Sequence, residues 1–456
     1  MRSALRSSLL SAGVAAATAA ALAALPGTAT ALPGTASPGP GPGPLVEVEI
    51  PGPENGVTAG SGHASVPTAG RSAPSGRRLS GEALRADGGV TKMIDNGPSA
   101  DRLDVVVIGD GYTADELAGF HADARAKWGE LAAVQPYTTY QGLFNVWTVD
   151  AVSQESGVSG DPGRDVVRDT ALGSYFWCGD IERLLCIDQA KVDAYAARVP
   201  DADLVLVLAN SSKYGGAGYN EPSATLGYDG IATASARNAK SGQVAVHETG
   251  HSLGWLADEY FYPSVPDYER YTGPEPAEPN VSGLDAGAMA ARGEKWHRWL
   301  GEPSPDGGTV GAYEGGGYYV KGLYRPTDGS LMRVLDRPFN LPGVEAMIAG
   351  FYRHARPVTA LTPTGDTLRG HRSAEISVPR LTGADARQPS VRWYLDGREL
   401  RSLAGRERVW VAELGLPLLD FRTHRLSVRV EDRTASVRDP EIVRTLGAQV
   451  EWKVRL

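Results

Sequence analysis

The 456-residue sequence predicts an α/β (α+β) domain, in which a mixed sheet carries a histidine-bearing helix across one face, followed by a C-terminal all-β sandwich domain. Three observations predict this. Strand-like and helix-like segments alternate from residue 103 to residue 254. Two histidines spaced by four positions stand in a helical stretch, His247-Glu248-Thr249-Gly250-His251. Beyond Pro357, short β-branched runs separated by turns take over.

Taken in order, residues 1–31 read as a secretory signal peptide. Arg2 and Arg6 supply the positive start, an apolar run follows, and Ala29-Thr30-Ala31 offers a small-residue cleavage site. The run is broken by small residues and short for a bilayer span, so the expectation is a secreted, extracellular protein with no membrane contact after signal removal. Residues 32–95 are rich in Pro and Gly, and such composition predicts a linker or pro-segment that cannot bury a core. Arg77-Arg78 is a candidate processing point within it.

Residues 96–356 carry the α/β-domain pattern. LDVVVIG at 103–109 is a β-branched run of the kind buried on both faces, and Asp110-Gly111-Tyr112 turns the chain out of it. Thr113 and Glu116 match a capping box, after which Leu117, Phe120, Ala124, Trp128 and Leu131 recur on one helical face. Residues 144–151 and 204–208 are further strands, and 225–233 alternates enough to predict an edge strand against which an extended peptide would pair. The Pro- and Gly-rich stretch from 260 to 322 predicts cleft walls. His297, within it, is a candidate oxyanion partner whose plainer reading is structural. Val344, Met347, Ile348 and Phe351 then mark an amphipathic helix. Residues 357–456 contain five candidate strands, at 374–378, 391–395, 409–412, 426–430 and 449–454, and nothing there reads as catalytic.

The chemistry concentrates in the central helix. His247 and His251 project from one helical face and can meet one zinc ion, with Glu248 beside it to accept the proton of a metal-activated water. Gly254, three residues further on, can take the left-handed conformation that ends a helix and returns the chain to the metal. Asp258 is the candidate third ligand and Glu259 its nearest rival; a surface carboxylate, or a carboxylate that only hydrogen-bonds a ligand histidine, is the other reading of Asp258. Tyr260, Tyr262 and Tyr324 are candidate oxyanion donors. Met332, delivered by a turn before the last helix, would form the floor shared by metzincins.

These pieces together resemble the IgA-peptidase family of zinc metallopeptidases over about 96–353. The resemblance rests on Gly109-Asp110-Gly111-Tyr112-Thr113, on His247 to His251 with Asp258-Glu259-Tyr260, on Gly311-Ala312-Tyr313-Glu314-Gly315, and on Gly322-Leu323-Tyr324-Arg325-Pro326 with Leu331-Met332-Arg333. It implies a metzincin-like zinc protease domain, one zinc ion per chain, His247 and His251 as zinc ligands, Asp258 as third ligand, and Glu248 as catalytic base. The chain departs from many relatives in carrying Ser330 and Phe339-Asn340-Leu341-Pro342 where they have cysteines, and in having a low-complexity segment where some have an accessory domain. The immunoglobulin of the family name does not transfer, because cleft loops set substrate choice.

The expected activity is zinc-dependent endopeptidase action on a protein or peptide. Two other readings stay open: a zinc hydrolase whose third ligand is a distant Glu, as in thermolysin-like folds, and a secreted adhesin or wall-binding protein with a structural zinc site. A fourth coordination position left to water separates a catalytic site from a closed structural one. A net charge of -9 argues against nucleic acid as the partner, and the two cysteines, Cys178 and Cys186, suggest one local disulfide.

Overall fold

The computed structural model describes residues 44–52, 62–72, 78–383, 386–417, 420 and 422–456. The signal-peptide expectation for 1–31 lies outside them. Among the described residues no helix is long and apolar enough to cross a membrane.

A mixed sheet of eight strands organises the larger part of the chain. Its strands are β1 (Leu45–Ile50), β2 (Gly62–Pro67), β3 (Val90–Ile94), β4 (Leu103–Asp110), β5 (Phe144–Val149), β6 (Leu204–Ala209), β7 (Gly216–Tyr219) and β8 (Ile231–Ser235), in the order β2-β1-β7-β8-β6-β4-β5-β3. β5, β4, β6 and β8 run parallel; β3 and β7 are antiparallel to their inner neighbours, and β1 is antiparallel to β7. Every residue of β4 is buried, as its unbroken apolar character requires when both faces of a sheet are covered.

Among the described residues eight α-helices accompany the sheets: α1 (Gly81–Ala86), α2 (Leu117–Ala132), α3 (Tyr137–Tyr140), α4 (Gln189–Ala196), α5 (Ser241–Gly254), α6 (Ala286–Arg292), α7 (Leu341–His354) and α8 (Pro440–Thr445). One face of the sheet, through Val105, Val107, Leu204 and Leu206, packs on α2, α5 and α7; the other, through Val106, Ile108, Val205 and Val207, packs on α4 and the 172–187 loop. The Thr113–Glu116 capping box forms ahead of α2. Asn340 caps α7 by accepting from the Gly343 amide, and Val344, Met347, Ile348 and Phe351 are all buried on its inner side.

Three expectations change here. The 32–95 stretch does not lack a core: β1 and β2 pair as a hairpin, Val48, Ile50 and Val66 are buried in the main sheet, and β3 pairs with β5 upstream of residue 96. The high Pro and Gly content around them masked the alternation in Leu45-Val46-Glu47-Val48-Glu49-Ile50. The edge strand expected at 225–233 is not an edge. Only its end enters β8, which lies inside the sheet, and β7 stands between β8 and the hairpin.

Gly254 does not supply the left-handed bend either. Trp255 does, at φ 50°, while Gly254 stays in the helix. Its missing side chain serves packing, since a Cβ there would lie 2.8 Å from Met347 Sδ on α7.

The C-terminal region is β-rich, with β11 (Thr359–Ala360), β13 (Ser373–Ser377) and β16 (Arg408–Trp410) in one sheet. The other contains β12 (Thr367–Arg369), β14 (Ser390–Leu395), β15 (Arg398–Glu399), β17 (His424–Glu431) and β18 (Gly447–Arg455). Trp393 and Trp452 stack in its core. It is bonded to the main domain: Asp432 accepts from the Tyr140 and Tyr352 hydroxyls, and Glu345 of α7 accepts from the amides of Arg438 and Asp439. Cys178 and Cys186 form a disulfide. A last hairpin, β9 (Tyr313–Gly316) and β10 (Tyr319–Arg325), bonds through its turn to the 258–262 stretch that follows α5.

Candidate metal centre

Helix α5 crosses the sheet with His247 and His251 on one side and Glu248 directed towards β7. Each imidazole is oriented by its Nδ1: that of His247 donates to the Leu331 carbonyl at 3.2 Å, and that of His251 to the Leu256 carbonyl at 2.5 Å. A carbonyl only accepts, so both Nδ1 atoms carry the hydrogen and both Nε2 lone pairs face inward. They stand 3.2 Å apart.

After the bend at Trp255, Asp258 returns to this point. Its Oδ1 lies 3.2 Å from His247 Nε2 and 3.6 Å from His251 Nε2, buried and without a hydrogen-bond donor. Glu259 turns the other way, where Ser330, Asn280 and Asn340 donate to its carboxylate, so it is not the rival ligand. Burial pushes the Glu259 carboxyl up to about 7, against those hydrogen bonds.

A fourth donor was not foreseen. Glu49 of β1 is fully buried, with Oε1 at 3.0 Å from His247 Nε2 and Oε2 at 2.6 Å from His251 Nε2. Glu49, His247, His251 and Asp258 therefore form a possible four-residue metal site. The donors suit a cation: tetrahedral bonds of about 2.0–2.1 Å place ligand atoms about 3.3 Å apart, close to the spacings seen. Two inward lone pairs and two buried carboxylates also repel one another unless positive charge lies between them. Burial raises the Glu49 carboxyl; charged imidazoles would instead hold it well below the usual carboxylate range, and neutral ones leave that task to a cation. Burial and the nearby Glu49 charge push Glu248 well above that range, and neither Glu248 oxygen has a hydrogen-bond partner.

The surroundings are aromatic. Tyr318, in the turn between β9 and β10, adopts φ 73°, a strained conformation for a tyrosine, and donates to Asp258 Oδ2 at 2.6 Å. Its ring stacks on Tyr262 at 5.7 Å between centroids and contacts Tyr260. Of the three tyrosines expected as donors, none makes this bond, and Tyr324 sits along β10 with its amide bonded to Ser282. Met332 is buried under α5, where a Cβ on Gly250 would be 2.7 Å from its sulfur. His297 bonds locally to the Glu294 carbonyl, far along the chain in the Trp-rich segment, and takes no part. Asp110 also serves architecture, binding the amides of Leu172 and Ser174. A cleft of about 560 Å³ opens past His251 and Asp258 between Trp255, Tyr271, Tyr318 and Tyr319.

A family model described as IgA Peptidase M64 matches residues 91–306, the segment that contributes His247, His251 and Asp258. Over these residues the chain is similar to that family of metallopeptidases. An M64 peptidase is a hydrolase acting on peptide bonds, so its substrates are proteins or peptides. No curated protein matches the chain. The M64 match begins downstream of β1 and β2, so Glu49 is the one member of the four-residue group outside it.

Proposed function

We propose that this M64 peptidase is a secreted zinc-dependent endopeptidase with a metzincin-like catalytic domain, in which His247, His251 and Asp258 hold the ion and Glu248 is the general base. The observation that carries the reading is the convergence of both imidazole Nε2 atoms on the buried, donorless Oδ1 of Asp258. A zinc ion bound there would supply Lewis acidity to water and to the scissile carbonyl. Glu248 takes the proton from water and returns it to the departing amine. The carbonyls of Leu331 and Leu256 fix both imidazole tautomers, and Tyr318, braced on Asp258, is the donor best placed to meet a developing oxyanion. Met332 beneath Gly250 and the succeeding α7 support the metzincin-like assignment.

Two observations bear on the other readings. Glu49 is a distant Glu, but it lies upstream of the helix and joins Asp258 rather than replacing it. Four protein donors would close a tetrahedral ion, which favours a structural site; the unpartnered carboxyl of Glu248 favours a catalytic one, because a structural site has no use for a buried base.

The test is Glu248→Gln together with Asp258→Ala, each assayed for bound zinc and for cleavage of a proteome-derived peptide library. Glu248→Gln should keep one zinc per chain and lose at least about 1,000-fold in rate, whereas Asp258→Ala should lose zinc. Full cleavage by Glu248→Gln would end the reading, as would full zinc content in Asp258→Ala.

A further inference from the structure

The fourth donor comes from a segment separable from the rest of the site. Strand alternation in β1 sends Val48 and Ile50 into the core on one face of the sheet and Glu49 to the other, where α5 lies. β1 is laid along β7, with Glu49 paired opposite Gly218. Asn220 donates to Glu49 Oε2 at 3.2 Å, Arg183 to the Pro51 carbonyl at 2.7 Å, and the Tyr214 hydroxyl to the Gly52 carbonyl. From β2, His63 reaches the Tyr318 hydroxyl at 3.0 Å. One hairpin thus touches three things at once: both imidazoles, the tyrosine braced on Asp258, and the β7 edge of the main sheet.

Such an edge would otherwise pair with an extended peptide, and the fourth metal position would otherwise hold water. We propose that the paired strands β1 and β2 form an autoinhibitory strap, with Glu49 filling the coordination position that the attacking water needs and β1 covering the strand edge that substrate needs. The inference rests on the metal site proposed above. A tethered carboxylate is present at high effective concentration, so an outside ligand binds the metal only in the fraction of molecules whose strap is unseated. The rest of the donor set belongs to the segment matched by the M64 model and stays whole when β1 leaves.

The test uses the full chain loaded with cobalt(II), comparing wild type, Glu49→Gln and Glu49→Ala. Acetohydroxamate, a small ligand that needs a free metal position, is titrated while the visible cobalt bands are followed, and metal content is measured on the same samples. All three proteins should hold one metal per chain. Glu49→Ala should bind the probe at least tenfold more tightly than wild type, with Glu49→Gln displaced in the same direction, and both should cleave peptides faster. Equal probe affinity in the three proteins would overturn the strap, as would loss of metal from Glu49→Ala, which would make Glu49 a permanent ligand. Should the alanine variant not fold, the isosteric glutamine variant carries the same comparison. Wild type that takes up no metal would instead defeat the metal-site reading itself.

Discussion

Gly218 of β7 faces Glu248 so closely that a Cβ on the glycine would overlap Glu248 Oε2. The same Cβ would come within 3.0 Å of the Asn220 side-chain amide. The carboxylate lies against bare backbone, and the space that Glu248 occupies exists because residue 218 has no side chain. Gly218→Ala should therefore turn Glu248 away without removing a metal donor. The expected outcome is a fall in kcat of about 100-fold or more, in line with displacing a general base, with metal content unchanged; elemental analysis beside steady-state kinetics checks it.

Tyr318 holds its hydroxyl on Asp258 from a left-handed turn conformation. Tyr318→Phe removes the donor and leaves the ring stack on Tyr262 in place. If the hydroxyl meets the oxyanion, kcat should fall by about 10²-fold with KM little changed, as for loss of one oxyanion donor. A matching loss of bound metal in the variant would assign Tyr318 to holding Asp258 instead.

His354, at the end of α7, lies between Asp203 and Asp229 at 2.8 Å from each. Burial would lower its pKa, but the two carboxylates outweigh it and raise the imidazole to about 9. A histidine raised in the folded state contributes stability that is fully present below its unfolded pKa of about 6.5. That contribution is lost as pH rises through about 9. The melting temperature should decline across this window, and His354→Gln should flatten the decline. Arg353, which also bonds Asp229, keeps its charge throughout and does not contribute to the slope. Thermal scans at closely spaced pH values measure it.

Asp432 receives two buried tyrosine hydroxyls, Tyr140 at 2.8 Å and Tyr352 at 3.1 Å. Asp432→Ala strands both, and each orphaned buried donor costs about 1–3 kcal/mol. Because the acceptor lies in the C-terminal region and the donors in the main domain, denaturation should remain one transition shifted to lower denaturant. Two resolved transitions in the wild type would show that the regions unfold independently.

What the sequence made legible was local. β4 shows as an unbroken apolar run, α2 by its capping box, α7 by its spacing, and the imidazole pair by a four-residue step, each readable from neighbours a few positions apart. Asp258 was within reach because one bend returns it, although the bend is made by Trp255 and not by the glycine before it. Glu49 was out of reach. It is 198 residues from His247, and its strand is six residues long in a stretch whose Pro and Gly content suggested no core at all. The signal was present in the alternation of Glu47 and Glu49 with Val46, Val48 and Ile50, since a strand with apolar residues on one face must find something for the other. Tyr318 carried no such mark, one of 18 tyrosines, distinguished only by a backbone conformation invisible in sequence.

Gly350 of α7 lies against the Leu253 carbonyl of α5, where any Cβ would collide with main-chain atoms. At this point helices α5 and α7 meet backbone to backbone, with no side chain between them to repack. For anyone reshaping this peptidase by directed evolution, the consequence is a map of where diversity is tolerable. Cleft positions such as Tyr271 and Tyr319 can be randomised, Tyr318 excepted, but even alanine at position 350 would lever the histidine-bearing helix off its seat and scatter both imidazoles.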